Sequence, residues 1–209
     1  MLPPSLPLFP LPNAVLFPGV YLPLHIFEPR YREMVRDALD DDRIIGMTLL
    51  KPGFEAEYEG RPPIYRIGCA GLITHAEPLA DGRFNIVLQG LERFRVLDED
   101  QSRPYRVARI EPLDAFGSPA DPIAVQGLRH RLETLIGPMI ERAGAELSIP
   151  PAMGDADLIH AIAQYLDFEP IEKQALLECQ GLLARATALV ELLEIKSLSS
   201  RAPTGSTTH

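Results

Sequence analysis

The chain has 209 residues, 46% of them hydrophobic and 23% charged, a globular composition with enough apolar side chain for one or two domains. A net charge of −9, split as −3 over residues 1–113 and −6 over 114–209, excludes a polyanion binder acting through bulk charge. No run approaches the roughly 20 apolar residues of a membrane-spanning helix, so a soluble, cytoplasmic protein is expected.

Eight of the 21 prolines fall in the first 30 residues, six of them within LPLFPLPNAVLFPGVYLPLHIFEPRY (Leu6 to Tyr31). A signal peptide is excluded, because the first positive charge is Arg30 and there is no cleavage-site pattern. A proline-rich ligand tail is the weaker reading. Its spacers would be polar and solvated, whereas these are Leu, Val, Ile, Phe and Tyr. The segment therefore predicts short edge strands and turns, with proline where no ladder N–H is needed. Glu28-Pro29 opens a helix, with proline at its first position and an apolar stripe of Tyr31, Met34, Val35, Ala38 and Leu39. Asp40-Asp41-Asp42 marks its end.

Strands are expected at Ile44 to Leu50 and at Tyr65 to His75, where Gly68 and Gly71 signal a bulge or a close backbone approach. LADGR (Leu79 to Arg83) is a hairpin turn. Further strands follow at Phe84 to Gly90, Glu92 to Asp100 and Tyr105 to Leu113. FGSPADP then reads as a linker, and the pattern becomes helical. Leu128, Leu132, Leu135, Ile136, Met139 and Ile140 recur at helical steps. Asp155 to Leu166 is a second such segment, Glu169-Pro170 opens a third, and Leu182 to Leu193 form a fourth. The expected organisation is a β-rich domain at 1–113, a helical bundle at 114–199 and a disordered tail at 200–209.

Little in the chain suggests catalysis. Cys69 and Cys179 have no metal-binding spacing and are expected as reduced thiols. His25 with Glu28, and His75 with Glu77, have ligand-like spacing, but no third ligand is specified, so no metal site is expected. There is no phosphate-binding G-x-x-x-x-G-K-[ST] loop and no G-x-S-x-G elbow. Neither a catalytic residue nor a cofactor is expected. Arg93 and Arg95 share a strand face by spacing and make a candidate basic strip for nucleic acid. The opposing reading pairs them with Glu92, Asp98 or Glu111.

Two blocks resemble a known family. Leu6 to Leu11, Val15 to Gly19 and Leu22 to Leu24, followed by a helix, are similar to the opening of the Lon protease N-terminal, substrate-binding domain. YRIGCAGLITHAEPLADGRFNIVLQGLERFRV resembles that family's second block at Gly68, Gly71, Ile73, Leu79, Asp81, Gly82, Val87, Gly90, Arg93, Arg95 and Val96. LDFEPIEKQALLE (Leu166 to Glu178) resembles its helical extension. The resemblance implies an α+β fold: a mainly antiparallel PUA-like pseudo-barrel followed by a C-terminal helical bundle. It also implies a bacterial, proteolysis-related binding module taking exposed apolar segments of unfolded or partly folded polypeptides; full Lon proteases continue into ATPase and peptidase domains, and a module without them is expected here as a departure from that pattern. An AAA+ protease is a further implied partner, no membrane is, and homo-oligomer formation is left open. The expected peptide-binding surface comprises Phe17, Pro18, Tyr21, Phe27 and Tyr31. RNA binding through Arg93 and Arg95 is the alternative that a PUA-like fold suggests.

Overall fold

The computed structural model describes residues 2–54, 60–100, 102–113, 122–142, 150 and 152–199. They form two compact units. The first comprises residues 1–118 and 160–178, and the second residues 119–159 and 179–209.

The first unit is built on six strands: β1 (Ser5–Leu11), β2 (Tyr21–Ile26), β3 (Ile44–Leu49), β4 (Ile67–Pro78), β5 (Phe84–Asp100) and β6 (Arg106–Pro112). Helix α1 (Pro29–Leu39) follows β2. The strand order is β2-β5-β4-β3-β1-β6, and β6 also pairs with β5, so five strands close into a barrel and β2 is appended. All pairings are antiparallel except β1 with β3.

The opening prolines fit this layout strand by strand. β1 is shared along its length: Ser5–Leu8 pairs with β6, and Leu8–Leu11 with β3. Pro7 lies in the first half and Pro10 in the second, so each sits where one side of the strand carries no ladder. The 17 residues of β5 form one strand, although Gly90-Leu91 suggested a break. β4 pairs with β5 from Phe84 to Arg95, while β2 takes the other side from Phe84 to Gln89 and β6 pairs from Phe94 to Asp100.

The barrel core gathers Leu6, Leu8, Ala70, Phe94, Val96 and Ala108 among its buried residues. Two glycines make room for the Phe94 ring. A Cβ at Gly46 or at Gly68 would lie 2.8 Å from Phe94 Cζ, and at Gly68 it would also lie 2.3 Å from Met47 O. The close approach expected at Gly68 is thus found, and a register shift falls between Cys69 and Gly71. At the hairpin tip Gly82 has φ 80°, and the Gly82 N–H donates to Leu79 O over 2.9 Å. The carboxylate of Asp81 accepts from the Arg83 guanidinium and backbone, which lowers its pKa to about 2.

The helical region departs from the expected boundary at 113/114. Residues 160–178 belong with the strands, carrying most of α3 (Asp155–Tyr165) and all of α4 (Pro170–Glu178). Hydrogen bonds explain why. The Phe17 N–H donates to Gln164 Oε1 over 3.1 Å, Gln174 Nε2 to Ile67 O over 3.0 Å, and Arg93 Nη1 to Leu177 O over 2.7 Å. Lys173 Nζ donates to Gln164 O over 2.7 Å and ties α4 to the end of α3. The second unit contains α2 (Pro122–Arg142) and α5 (Gly181–Ser199). Its buried side chains include Val125, Leu132, Ile136, Ala186, Leu189 and Leu193; of the stripe expected on α2, Leu132 and Ile136 are buried and Leu128 and Leu135 half-buried, and the side chains of Met139 and Ile140 lie outside those described. Residues 200–209, and most of the FGSPADP linker, lie outside the described residues.

Candidate functional site

β2 pairs only with β5 among the described strands, so it ends the sheet. Tyr21, Pro23 and His25 alternate outward with Phe27 just beyond, while Leu22 and Leu24 are half-buried and Ile26 is buried. Tyr21 is 48% and Phe27 60% exposed. Tyr165, from the end of α3, is 65% exposed and donates its hydroxyl to Tyr21 O over 3.0 Å. The His25 ring stacks on Phe27 at 6.3 Å between centroids. His25 Nδ1 lies 2.8 Å from Asn85 Oδ1, and Nε2 lies 3.3 Å from Arg83 Nη1. A neutral ring with its proton on Nδ1 serves both contacts. Asn85 in turn donates to Glu77 over 3.1 Å. The result is an apolar aromatic row bordered on β4 and β5 by a fixed polar network.

The backbone edge of β2 is blunted. Gly90 N–H donates to Val20 O, so the bonded pairs continue through Leu22, Leu24 and Ile26, and Pro23 falls on the outward-facing positions. Proline offers no N–H there, and Tyr21 O is already used. The side chains of β2, rather than its backbone, are what a partner would meet.

Two of the five expected binding residues are corrected. Phe17 is fully buried. Phe17-Pro18-Gly19-Val20 is a tight turn, with the Val20 N–H donating to Phe17 O over 3.3 Å and Gly19 at φ 76°. It folds Phe17 against β5, where a Cβ at Gly90 would lie 2.0 Å from Phe17 O. Tyr31 is 4% exposed, edge-on to Phe9 at 4.5 Å, and burial raises the pKa of its hydroxyl. Pro18 is half-buried. Tyr21 and Phe27 are left on the surface.

The arginine strip is corrected as well. Arg93 is buried beneath α4, where its guanidinium meets the last-turn carbonyl of Leu177. Arg95 is exposed and paired with Glu111 at 2.9 Å. Spacing places both on one strand face, but the helix above covers one of them. Glu28 stands at the N-cap of α1 with its carboxylate on Arg30 at 2.9 Å, and no trio of metal-ligating side chains occurs among the described residues. Cys69 is buried, Cys179 is half-buried, and both are free thiols. No helix of the described residues is long and apolar enough to cross a membrane.

One feature had no signal in the sequence. A cavity of about 440 Å³ is lined by Leu49, Leu50, Phe54, Pro170 and Ile171 among others. It draws on stretches more than 100 residues apart in sequence, so no local pattern announces it.

The family model described as the substrate-binding domain of ATP-dependent protease La (LON) matches residues 5–194. The chain is 32% identical to Lon protease 2 of Myxococcus xanthus over 96% of its own length and 25% of the relative's. The figures for the Lon protease of Anaeromyxobacter dehalogenans are the same. The chain thus spans about a quarter of the length of the curated relatives it matches. Among solved structures it is similar to the N-terminal domain of Mycobacterium avium complex Lon protease. The TM-score is 0.68 at 16% identity, over 91% of this chain and 98% of that one. It is also similar to a Lon N-terminal domain protein from Xanthomonas campestris, with a TM-score of 0.57 at 23% identity over 91% and 97% of the two chains. At these identities the likeness shows the fold, an α+β arrangement with a helical C-terminal part.

Proposed function

Because the chain belongs to the family of Lon substrate-binding domains, we propose that it is a binding module for exposed apolar segments of other polypeptides, without chemistry of its own. The observation that carries this reading is the exposed aromatic row of β2, Tyr21 and Phe27 with Tyr165 beside it, on a strand whose backbone edge is blunted by Pro23 and by the Tyr165 hydroxyl on Tyr21 O. Exposed aromatic side chains gain when a partner's apolar surface removes them from water. The partners are unfolded or partly folded polypeptides, and an AAA+ protease is a further partner, a reading supported by the family's description as the substrate-binding domain of an ATP-dependent protease. RNA binding is disfavoured, because Arg93 is buried and Arg95 is paired.

The experiment is fluorescence anisotropy with a labelled, permanently unfolded polypeptide. A small preformed patch gains little area against the cost of association, so binding on the order of micromolar or weaker is expected. It should change little with salt, and Tyr21→Ser with Phe27→Ser should weaken it. Tighter binding of a labelled RNA, falling steeply with salt, would replace this reading with the nucleic-acid one.

A further inference from the structure

A second surface of the β-rich unit pairs an apolar cavity with a basic one. The apolar cavity of about 440 Å³ adjoins another of about 480 Å³, because Lys51 and Pro62 line both. The wall they share is held in place by backbone pairing. The Lys51 N–H donates to Pro63 O over 2.9 Å, the Tyr65 N–H donates to Leu49 O over 2.8 Å, and Leu50 bridges Ile64. The second cavity is lined by Arg61, Arg66 and Arg106, with Asp98 and Glu99 opposing them. Arg106 is neutralised by Glu99 at 2.9 Å. Arg61 donates to the carbonyls of Asp100 and Arg103. The Lys51 ammonium lies 5.8 Å from the Tyr65 ring centroid. Neither of these two, nor Arg66, has an ion-pair partner among the described residues. Among the described residues, the lining of this cavity therefore holds three cations without an ion-pair partner and one such carboxylate, Asp98. Exposed cations are ordinarily just solvated. Here Lys51 lines the apolar cavity as well, and Arg61 and Arg66 line the cavity beside it.

We infer that the two cavities form one groove for an extended polypeptide segment carrying a bulky apolar side chain and an acidic side chain two residues apart. In an extended chain residues i and i+2 project from the same face, about 7 Å apart, so one segment can fill both cavities. Adjacent residues project to opposite faces and cannot. The apolar side chain enters between Phe54 and Ile171, and the carboxylate meets Lys51 and Arg66. The assignment rests on the reading that the chain takes up polypeptides, and it adds a sequence preference that the β2 face does not supply.

The test uses the full chain and three labelled peptides in one Gly/Ser-rich host, carrying Phe-x-Glu, Phe-x-Gln or adjacent Phe-Glu. At low salt Phe-x-Glu should bind about fivefold tighter than either of the others, the gain expected of one or two partly exposed charge contacts. The gap should close at roughly 0.5 M salt. Lys51→Ala with Arg66→Ala should abolish it, and Ile171→Ser should weaken all three peptides. Equal affinities, or a preference that survives Lys51→Ala with Arg66→Ala, would overturn the inference. If the unfolded polypeptide still binds in that case, the groove alone fails and the binding-module reading stands. If it does not bind, both fail.

Discussion

At the scale of single residues, the position of an aromatic side chain is decided by the turn that carries it. Phe17 and Tyr21 are both aromatic and only four residues apart. Pro18-Gly19 builds the turn that sends Phe17 inward, whereas Tyr21 starts a strand at an outward position. The Pro-Gly pair carried that information, since proline then glycine at the two central positions is a turn signature. Expecting Phe17 at the surface gave its apolar neighbours more weight than its backbone. Gly68 shows the same dependence on backbone. A methyl group there would meet Met47 O at 2.3 Å, so Gly68→Ala must move backbone, and it should cost about 2–3 kcal/mol in denaturant unfolding. A loss below about 0.5 kcal/mol would show that the β3–β4 contact is loose. The Asp81 carboxylate, held by Arg83, should titrate near 2 by NMR. Its folded-state pKa is below the ordinary carboxylate value, so the contact stabilises at neutral pH. That contribution fades as the pH falls from about 4 towards 2. An ordinary midpoint would mean that the Arg83 contact is not kept in solution.

At the scale of elements, most of the strands and helices were legible in the sequence, and the exceptions have a physical cause. The alternating apolar pattern, the Asp-Gly turn and the Glu-Pro helix start are local signals, and β3, β4, β6 and α1 appear close to where they were expected. The continuity of β5 was not legible, because it depends on β4 lying alongside a local glycine. The burial of Arg93 was not legible either, because it depends on α4, about 80 residues away in the chain. Pro23 offers an element-scale test. Pro23→Val would restore an outward N–H to the last strand of the sheet, so the variant should self-associate more in sedimentation velocity while its melting temperature changes little. Unchanged sedimentation would mean that the edge is closed by something other than proline. In the helical unit, Leu132→Ala and Leu189→Ala should each cost about 2–5 kcal/mol in chemical denaturation, because both side chains are fully buried.

At the scale of the whole molecule, sequence composition placed the change from strands to helices correctly but not the boundary between compact units. Residues 160–178 supply partners to Phe17, Ile67 and Arg93, so they complete the β-rich unit from the far side of a helical segment. A fragment ending at residue 118 should therefore melt well below the full chain or fail to fold, as followed by circular dichroism. Equal cooperative melting would refute the need for those helices. The central claim concerns where a polypeptide is held, and chemical-shift mapping on the ¹⁵N-labelled chain addresses it most directly. On titration with an unlabelled, unfolded polypeptide, the account predicts saturable shifts at Tyr21, Leu22, Leu24, His25, Phe27 and Tyr165, with Leu189 and Leu193 of α5 unmoved. Saturable binding with no shift in β2 would contradict it, as would no binding at all.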